Sequence, residues 1–198
     1  MIHSLHLITK QKPTKNVLLI ITLLSTLMLL TRGSHFSGVN ALPEASWVIF
    51  MVAGSLLPAW SFAWLMTLAI GIDGYAFSFG GVSGTCFSIT YGMLIPAYGV
   101  MWLAGRFTKS YLNATLQNSA VLFGFSMAGT LICELISSGS FYLFSGHFDP
   151  TFAEFFAREF VYIPVVFSSS AFWTVIFILS VKATHMYRQS VTENVQAK

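Results

Sequence analysis

The sequence predicts an all-α integral membrane protein, an expectation that rests on its composition and on the length of its apolar runs. The chain of 198 residues is 55% hydrophobic and only 9% charged, whereas soluble domains carry roughly 25% charged residues. The apolar runs are continuous rather than alternating, which argues against a transmembrane β-barrel. The few basic residues cluster at the ends of apolar runs, so the net charge of +3 indicates membrane topology rather than nucleic-acid binding. We therefore expect one membrane domain of short helices, each with about 20 apolar residues.

The first apolar run, 17–31, follows a polar N-terminal stretch that contains three lysines. The tripeptide Val39-Asn40-Ala41 resembles a signal-peptide cleavage site. It lies far beyond the end of the apolar run, however, which is unusual for a signal peptide. This spacing favours an uncleaved first helix over a cleaved signal.

The long apolar run 47–72 predicts two short helices joined by a tight turn. Pro58 lies at its middle, where proline breaks or kinks a helix. The positive-inside rule supports the same division. With six spans most basic residues fall on the cytoplasmic side, whereas five spans would move Arg106 and Lys182 outside.

The complete prediction is a bundle of six transmembrane helices with both termini in the cytoplasm. The long connections then lie outside, which places the predicted binding end there. The spacing of Phe152, Phe155, Phe156 and Phe160 predicts a short amphipathic helix within the last outer loop. The predicted helices are 17–31, 45–57, 59–73, 89–105, 117–137 and 162–184, and the predicted outer loops are 32–44, 74–88 and 138–161.

Cys86 is the strongest single candidate for a functional residue. A thiolate is a soft ligand that suits cobalt, copper or zinc. Gly80, Gly81 and Gly84 precede it and would let a bulky ligand approach the backbone. Two other interpretations stay open: Cys86 is an inert buried thiol, or it forms a disulfide with Cys133 in an oxidising compartment.

Two acids and two histidines are further candidates. Asp73 and Glu134 lie near the predicted outer ends of spans, and acids within a membrane often mark functional sites. Their alternative role is to reach the lipid headgroups. His35 and His147 lie on predicted outer loops, where each is a ligand, a pH-sensitive contact or a solvated side chain.

The tetrapeptide Gly81-Val82-Ser83-Gly84 matches the GxSG motif of rhomboid-type intramembrane serine proteases. A serine nucleophile needs a histidine base within hydrogen-bond reach. His185 is the one histidine near the last span, and helix rise places it about 30 Å from the predicted outer surface. Ser83 lies near that surface, so we expect no protease.

Several stretches within residues 32–106 resemble a known family of vitamin B12 transporters, the BtuM-like proteins, which are related to the substrate-binding S-components of ECF transporters. Glu44 stands where that family carries aspartate, and the first span lacks the AxxxA motif with which many S-components dock on their partner. The matching stretches are Ser34-His35-Phe36, Leu42-Pro43-Glu44-Ala45-Ser46-Trp47, Cys86, Pro96-Ala97-Tyr98 and Trp102-Leu103-Ala104-Gly105-Arg106.

The resemblance implies a six-helix, S-component-like bundle that binds cobalamin or cobinamide as substrate at its outer face. It implies that Cys86 coordinates the cobalt, where a thiolate could also labilise the opposite axial ligand, and it implies no prosthetic group. Residues expected to contact or surround the corrinoid are Cys86, His35, Tyr75, Thr85, Phe87 and Tyr91.

Localisation, energy source and partners complete the prediction. We expect the bacterial inner (cytoplasmic) membrane. The chain has no phosphate-binding loop of the form GxxxxGK[ST], so energy comes from an ECF module of EcfT and ATPases, or transport is downhill without partners.

Two other functions remain open. An S-component for another small vitamin or precursor would not need Cys86. A membrane scaffold subunit that transports nothing would show no ligand-dependent change.

Overall fold

The computed structural model describes residues 15–32, 42–79, 89–113, 115–146 and 151–196. Over these ranges the chain is helical and contains no β-strand, which confirms the all-α prediction. Short 3₁₀ helices, Ile89–Met93 and Lys109–Tyr111, flank the fourth α-helix. The six α-helices are α1 (Lys15–Arg32), α2 (Ser46–Leu56), α3 (Trp60–Phe79), α4 (Leu94–Thr108), α5 (Leu116–Phe144) and α6 (Phe152–Gln196).

The predicted break at Pro58 lies between α2 and α3. Leu57 has an extended backbone, with φ −112° and ψ 158°, as is favoured for the residue before a proline. The backbone N–H of Ser61 donates to the carbonyl of Pro58 at 3.0 Å. This bond closes the turn and starts α3.

Two predicted outer loops are shorter in the structure, because the helices beside them are longer. α3 continues through Phe79 into the predicted loop 74–88. α5 continues to Phe144 and α6 begins at Phe152, so most of the predicted loop 138–161 is helical. The predicted amphipathic helix is not a separate element, since α6 runs through Pro164 without a break.

Contacts between α5 and α6 explain why these two helices extend so far. The backbone N–H of Thr151 donates to the hydroxyl of Tyr142 at 2.9 Å. A Cβ atom placed on Gly139 would be 3.7 Å from the Phe155 ring, an ordinary van der Waals distance, so the ring packs directly against α5 at this glycine. Packing between two helices therefore decides the structure of a stretch whose composition suggests a loop.

α2 forms the centre of the bundle. Nine of its 11 residues are buried, and it contacts all five other helices. A helix that is apolar on every side fits such a buried position. At a rise of 1.5 Å per residue α2 is only about 16 Å long, well short of a hydrocarbon layer of about 30 Å.

α2 and α4 approach each other closely at two glycines. A Cβ atom on Gly54 would lie 2.0 Å from the carbonyl oxygen of Trp102, and one on Gly105 would lie 1.9 Å from that of Met51. Neither backbone carbonyl can move away without shifting a helix. Small residues of this kind let membrane helices pack at short range.

Among the described residues, four helices are long and apolar enough to cross a membrane. They are α1, α3, α5 and α6, whereas α2 and α4 are shorter. The structure therefore shows six helices and is compatible with a multi-pass membrane protein, while six complete spans stay a prediction.

The helix ends that flank the three longest connecting segments lie together at one end of the bundle. Successive helices run in opposite directions, so the last residues of α1, α3 and α5 lie near the first residues of α2, α4 and α6. We call this the Arg32 end, after the last residue of α1. The connecting segments 33–41, 80–88 and 147–150 join helices at this end.

Candidate functional site

A buried arginine organises the Arg32 end. Arg32 is only 6% exposed. Its Nε donates to Oδ1 of Asp73 at 2.6 Å, and its Nη2 donates to Oδ2 of the same carboxylate at 2.5 Å. This two-point geometry is the strong form of an arginine–carboxylate pair. It joins the end of α1 to α3.

The third guanidinium nitrogen of Arg32 joins α1 to α2 and α4. Nη1 donates to Oγ of Ser46 at 3.1 Å, to the hydroxyl of Tyr98, and to Oε1 of Glu44 at 3.4 Å. Tyr98 is buried and stacks on Phe50 with ring centroids 4.3 Å apart. We call Arg32, Glu44, Ser46, Asp73 and Tyr98 the Arg32 cluster.

Tyr91 extends the cluster towards the predicted cysteine segment. Its hydroxyl donates to Oδ2 of Asp73 at 2.6 Å. Asp73 lies on α3 and Tyr91 on the 3₁₀ helix before α4, so this bond spans the stretch that contains Cys86. The predicted functional acid Asp73 is thus a structural anchor that holds both flanks of that stretch.

The segment that leads into α2 is also held in place. Nε1 of Trp173, on α6, donates to the carbonyl of Pro43 at 2.8 Å. The backbone N–H of Ala45 donates to Oγ1 of Thr31 at 3.4 Å. These bonds position the side chain of Glu44, which is 39% exposed, at the edge of the Arg32 cluster.

A cavity of about 340 Å³ lies beside Tyr91, between the start of α4, α5 and α6. We call it the acidic cavity, because two carboxylates line it. It is lined by Tyr91, Leu94, Glu134, Ser137, Ser138, Phe141, Tyr142, Phe155, Arg158, Glu159 and Tyr162.

Both carboxylates of the acidic cavity are buried. Glu134 is 8% exposed and Glu159 is 2% exposed. The hydroxyl of Ser138 donates to Oε1 of Glu159, whereas Oε2 of Glu159 is buried and accepts no hydrogen bond within the part of the chain that the structure describes. Burying a carboxylate without a full set of partners costs free energy, so this oxygen is a place where a bound group would be stabilised.

A second, apolar cavity of about 420 Å³ adjoins the acidic cavity and shares Tyr142 and Phe155 with it. Its remaining lining comes from the end of α5, the start of α6 and Met93. Those residues are Met93, Leu135, Ile136, Gly139, Ser140, Leu143, Phe144, Thr151 and Phe152.

Of the predicted substrate residues, Tyr75 and Tyr91 belong to the described part of the chain. Tyr91 lies between the Arg32 cluster and the acidic cavity. Tyr75 is 70% exposed and lines a different groove, which it shares with Leu29 and Trp64. The structure therefore does not bring these two tyrosines together in one site. Cys86, His35, Thr85 and Phe87, like His147, lie outside the described residues.

Cys133, the proposed disulfide partner of Cys86, is a free and buried thiol. Its Sγ donates to the carbonyl of Ala97 at 2.8 Å, which ties α5 to α4. Packing between α5 and α4 is therefore sufficient to explain the presence of Cys133 at this position. Among the residues that the structure describes, no group of three or more His, Cys, Asp or Glu side chains could hold a metal ion.

Sequence reasoning missed Arg32, Tyr98 and Glu159 as site residues. Charges are rare in this chain, so an arginine and an aspartate at the ends of two apolar runs were a usable signal for an ion pair. Glu159 follows Phe155 by four residues, which places it on the phenylalanine face of the helix rather than on the wet one. That spacing could have indicated a buried acid.

No protein-family model matches the chain, and no curated protein is significantly similar to it. Its fold defines the class: an all-helical chain with four helices long and apolar enough to cross a membrane, among the residues described. The family to which it belongs stays the prediction made from the motifs above.

Proposed function

We propose that the chain is a multi-pass membrane transporter that binds a corrinoid at its Arg32 end, with Cys86 as a ligand to cobalt. The observation that carries this proposal is the 2.6 Å bond between Tyr91 and Asp73. It brackets the stretch containing Cys86 and anchors both flanks to the buried Arg32. Fixing the flanks lowers the entropy that a loop loses when it closes on a ligand.

Thiolate chemistry supports the choice of substrate. Cobalt accepts a soft sulfur ligand, and an axial thiolate would labilise the ligand on the opposite face of the corrin. Cys133 is buried and bonded to Ala97, which leaves Cys86 as the cysteine available for this role. The motifs that resemble B12 transporters flank the same stretch, since Tyr98 and Glu44 are members of the Arg32 cluster.

The distribution of basic residues supports placing the Arg32 end on the outer side of the membrane. Apart from Arg32 and Arg158, the described basic residues lie towards the other end of the bundle, at the start of α1, the end of α4 and the last part of α6. The positive-inside rule places such residues in the cytoplasm, and with them both termini in a bacterial inner membrane. These residues are Lys15, Arg106, Lys109, Lys182 and Arg188.

Purification in detergent after growth with cobinamide, followed by a visible absorption spectrum, tests the proposal. We expect a bound corrinoid whose spectrum shifts in Cys86→Ala, because the cobalt loses its sulfur ligand. Cys133→Ser is the matched control and should leave the spectrum unchanged. A corrinoid spectrum identical in wild type and Cys86→Ala would contradict the claim that Cys86 is a ligand to cobalt. Absence of corrinoid from both proteins would contradict the claim that the substrate is a corrinoid.

A smaller substrate is the second candidate, and the size of the acidic cavity favours it. At about 340 Å³ the cavity falls within the range of small-molecule sites, roughly 300–1,000 Å³. An S-component for a small vitamin or precursor would use this cavity and would keep its uptake in Cys86→Ala. Loss of corrinoid uptake in Cys86→Ala would exclude this second candidate.

A further inference from the structure

The acidic cavity gathers two carboxyl groups, and among the described residues neither of them forms an ion pair with a basic side chain. Glu134 on α5 and Glu159 on α6 are the acids that face it, and Arg158 is its one basic lining residue. Arg158 is engaged elsewhere: its Nε and Nη2 donate to Oε1 of Glu154 at 3.3 and 3.2 Å. Oε2 of Glu159 accepts no hydrogen bond from any described residue, although Glu159 is 2% exposed.

The rest of the lining suits a cation with an apolar body. Five of the 11 lining residues are aromatic, and aromatic faces attract cations. The hydroxyls of Ser137 and Ser138 add polar contacts beside the carboxylates. The aromatic residues are Tyr91, Phe141, Tyr142, Phe155 and Tyr162.

We propose that the acidic cavity binds a small organic ammonium ion, whose N–H groups donate to Glu159 and Glu134. An amine supplies the donors that the carboxylates lack, and charge-assisted hydrogen bonds of this kind are stronger than neutral ones. The apolar part of the ligand packs between the aromatic rings and extends towards the adjoining apolar cavity, past Tyr142 and Phe155.

An organic cation fits this cavity better than a metal ion does. Hard divalent cations need six or more oxygen ligands, or several carboxylates and waters. The acidic cavity offers two carboxylates within a largely aromatic and aliphatic lining. The site is built wholly from described residues and does not include Cys86, so the inference does not rest on the corrinoid proposal.

Thermal unfolding of the purified full-length chain in nanodiscs tests the site, with phenethylamine as the probe. 2-Phenylethanol is the matched neutral probe, and KCl at the same concentration controls for ionic strength. Because a ligand that binds the native state raises its stability, we expect phenethylamine to raise the unfolding midpoint in a saturable way. We expect little shift from the other two.

Glu159→Gln separates binding from folding. The substitution keeps the shape of the side chain and removes its charge, so we expect a folded protein at least as stable as wild type without ligand. Its apparent affinity for phenethylamine should fall roughly tenfold or more, which is the loss expected for a charge-assisted hydrogen bond. Glu193→Gln, at the other end of α6, should bind as wild type does.

Three results would overturn the inference. The first is an equal shift of the midpoint by phenethylamine and 2-phenylethanol, or by neither. The second is an equal shift by KCl, which would assign the site to an inorganic cation. The third is unchanged affinity for phenethylamine in Glu159→Gln.

Discussion

Arg32 and Asp73 are 41 residues apart in the sequence and form a two-point ion pair in the structure. The Arg32 side chain is 7% exposed and that of Asp73 is 24% exposed, so water screens the pair only in part. Removing one partner leaves the other charge with too few contacts, which costs far more than a surface pair is worth. The stability of the Arg32 end should therefore depend on Asp73.

We expect Asp73→Asn to lower the free energy of unfolding by about 3 kcal/mol, near the lower bound for a broken buried pair because Asp73 is partly exposed. A reversible unfolding titration in detergent measures this change. Glu154→Gln is the matched control: it breaks the exposed pair with Arg158, 3.2 Å apart, and should cost less than about 1 kcal/mol. Equal costs for the two variants would show that Arg32 is not held by its carboxylate.

The residue scale also shows where the sequence was informative. Asp73 and Glu134 were predicted as candidate functional acids from their positions near the outer ends of spans; in the structure Glu134 is buried and Asp73 is half-buried, both at the Arg32 end. The rarity of charges in the chain indicated that Arg32 would pair with an acid, but nothing local to Arg32 specifies which acid along the chain it contacts. Its identity depends on how α1 and α3 pack.

At the scale of elements, α2 and α4 are the closest pair because glycines remove the side chains between them. The carbonyl of Met51 faces Gly105, and that of Trp102 faces Gly54. Each glycine thus contacts the backbone of the other helix. A methyl group at either position must push the two helices apart, and α2 is the centre of the bundle.

Gly105→Ala should lower the free energy of unfolding by about 1–3 kcal/mol or more, as expected for overpacking against rigid backbone. Gly99→Ala on the same helix is the control, because a Cβ atom there meets nothing within 4 Å. It should be neutral or stabilise by up to about 1 kcal/mol, since alanine favours a helix over glycine. Midpoints of unfolding in detergent would contradict this packing if Gly105→Ala were as stable as Gly99→Ala.

The sequence predicted which helices exist better than where they end. Proline at position 58 gave a local signal, and the break lies there. The ends of α5 and α6 gave no such signal, because 137–144 begins with the run Ser-Ser-Gly-Ser, and these residue types are common in turns and loops. Their helical structure depends on contacts such as that of Tyr142 with Thr151, which composition does not reveal.

At the scale of the whole molecule, charge and cavities divide the bundle into two unlike ends. The Arg32 end holds the ion-pair cluster, the acidic cavity and the helix ends that flank the three longest connections, whereas most of the described basic residues lie towards the other end. Composition and the continuous apolar runs together predicted the membrane class and the all-α fold. The cavity could not be predicted, because its lining comes from three separate stretches that meet only after folding.

Cys86 labelling in whole cells tests most directly the claim that a corrinoid binds outside through this residue. The experiment uses Cys133→Ser, which keeps a hydrogen-bond donor for Ala97 and leaves Cys86 as the single cysteine. We expect a membrane-impermeant maleimide to label Cys86, and saturating cobinamide to protect it. Labelling only after the membrane is opened, or equal labelling with and without cobinamide, would contradict the claim.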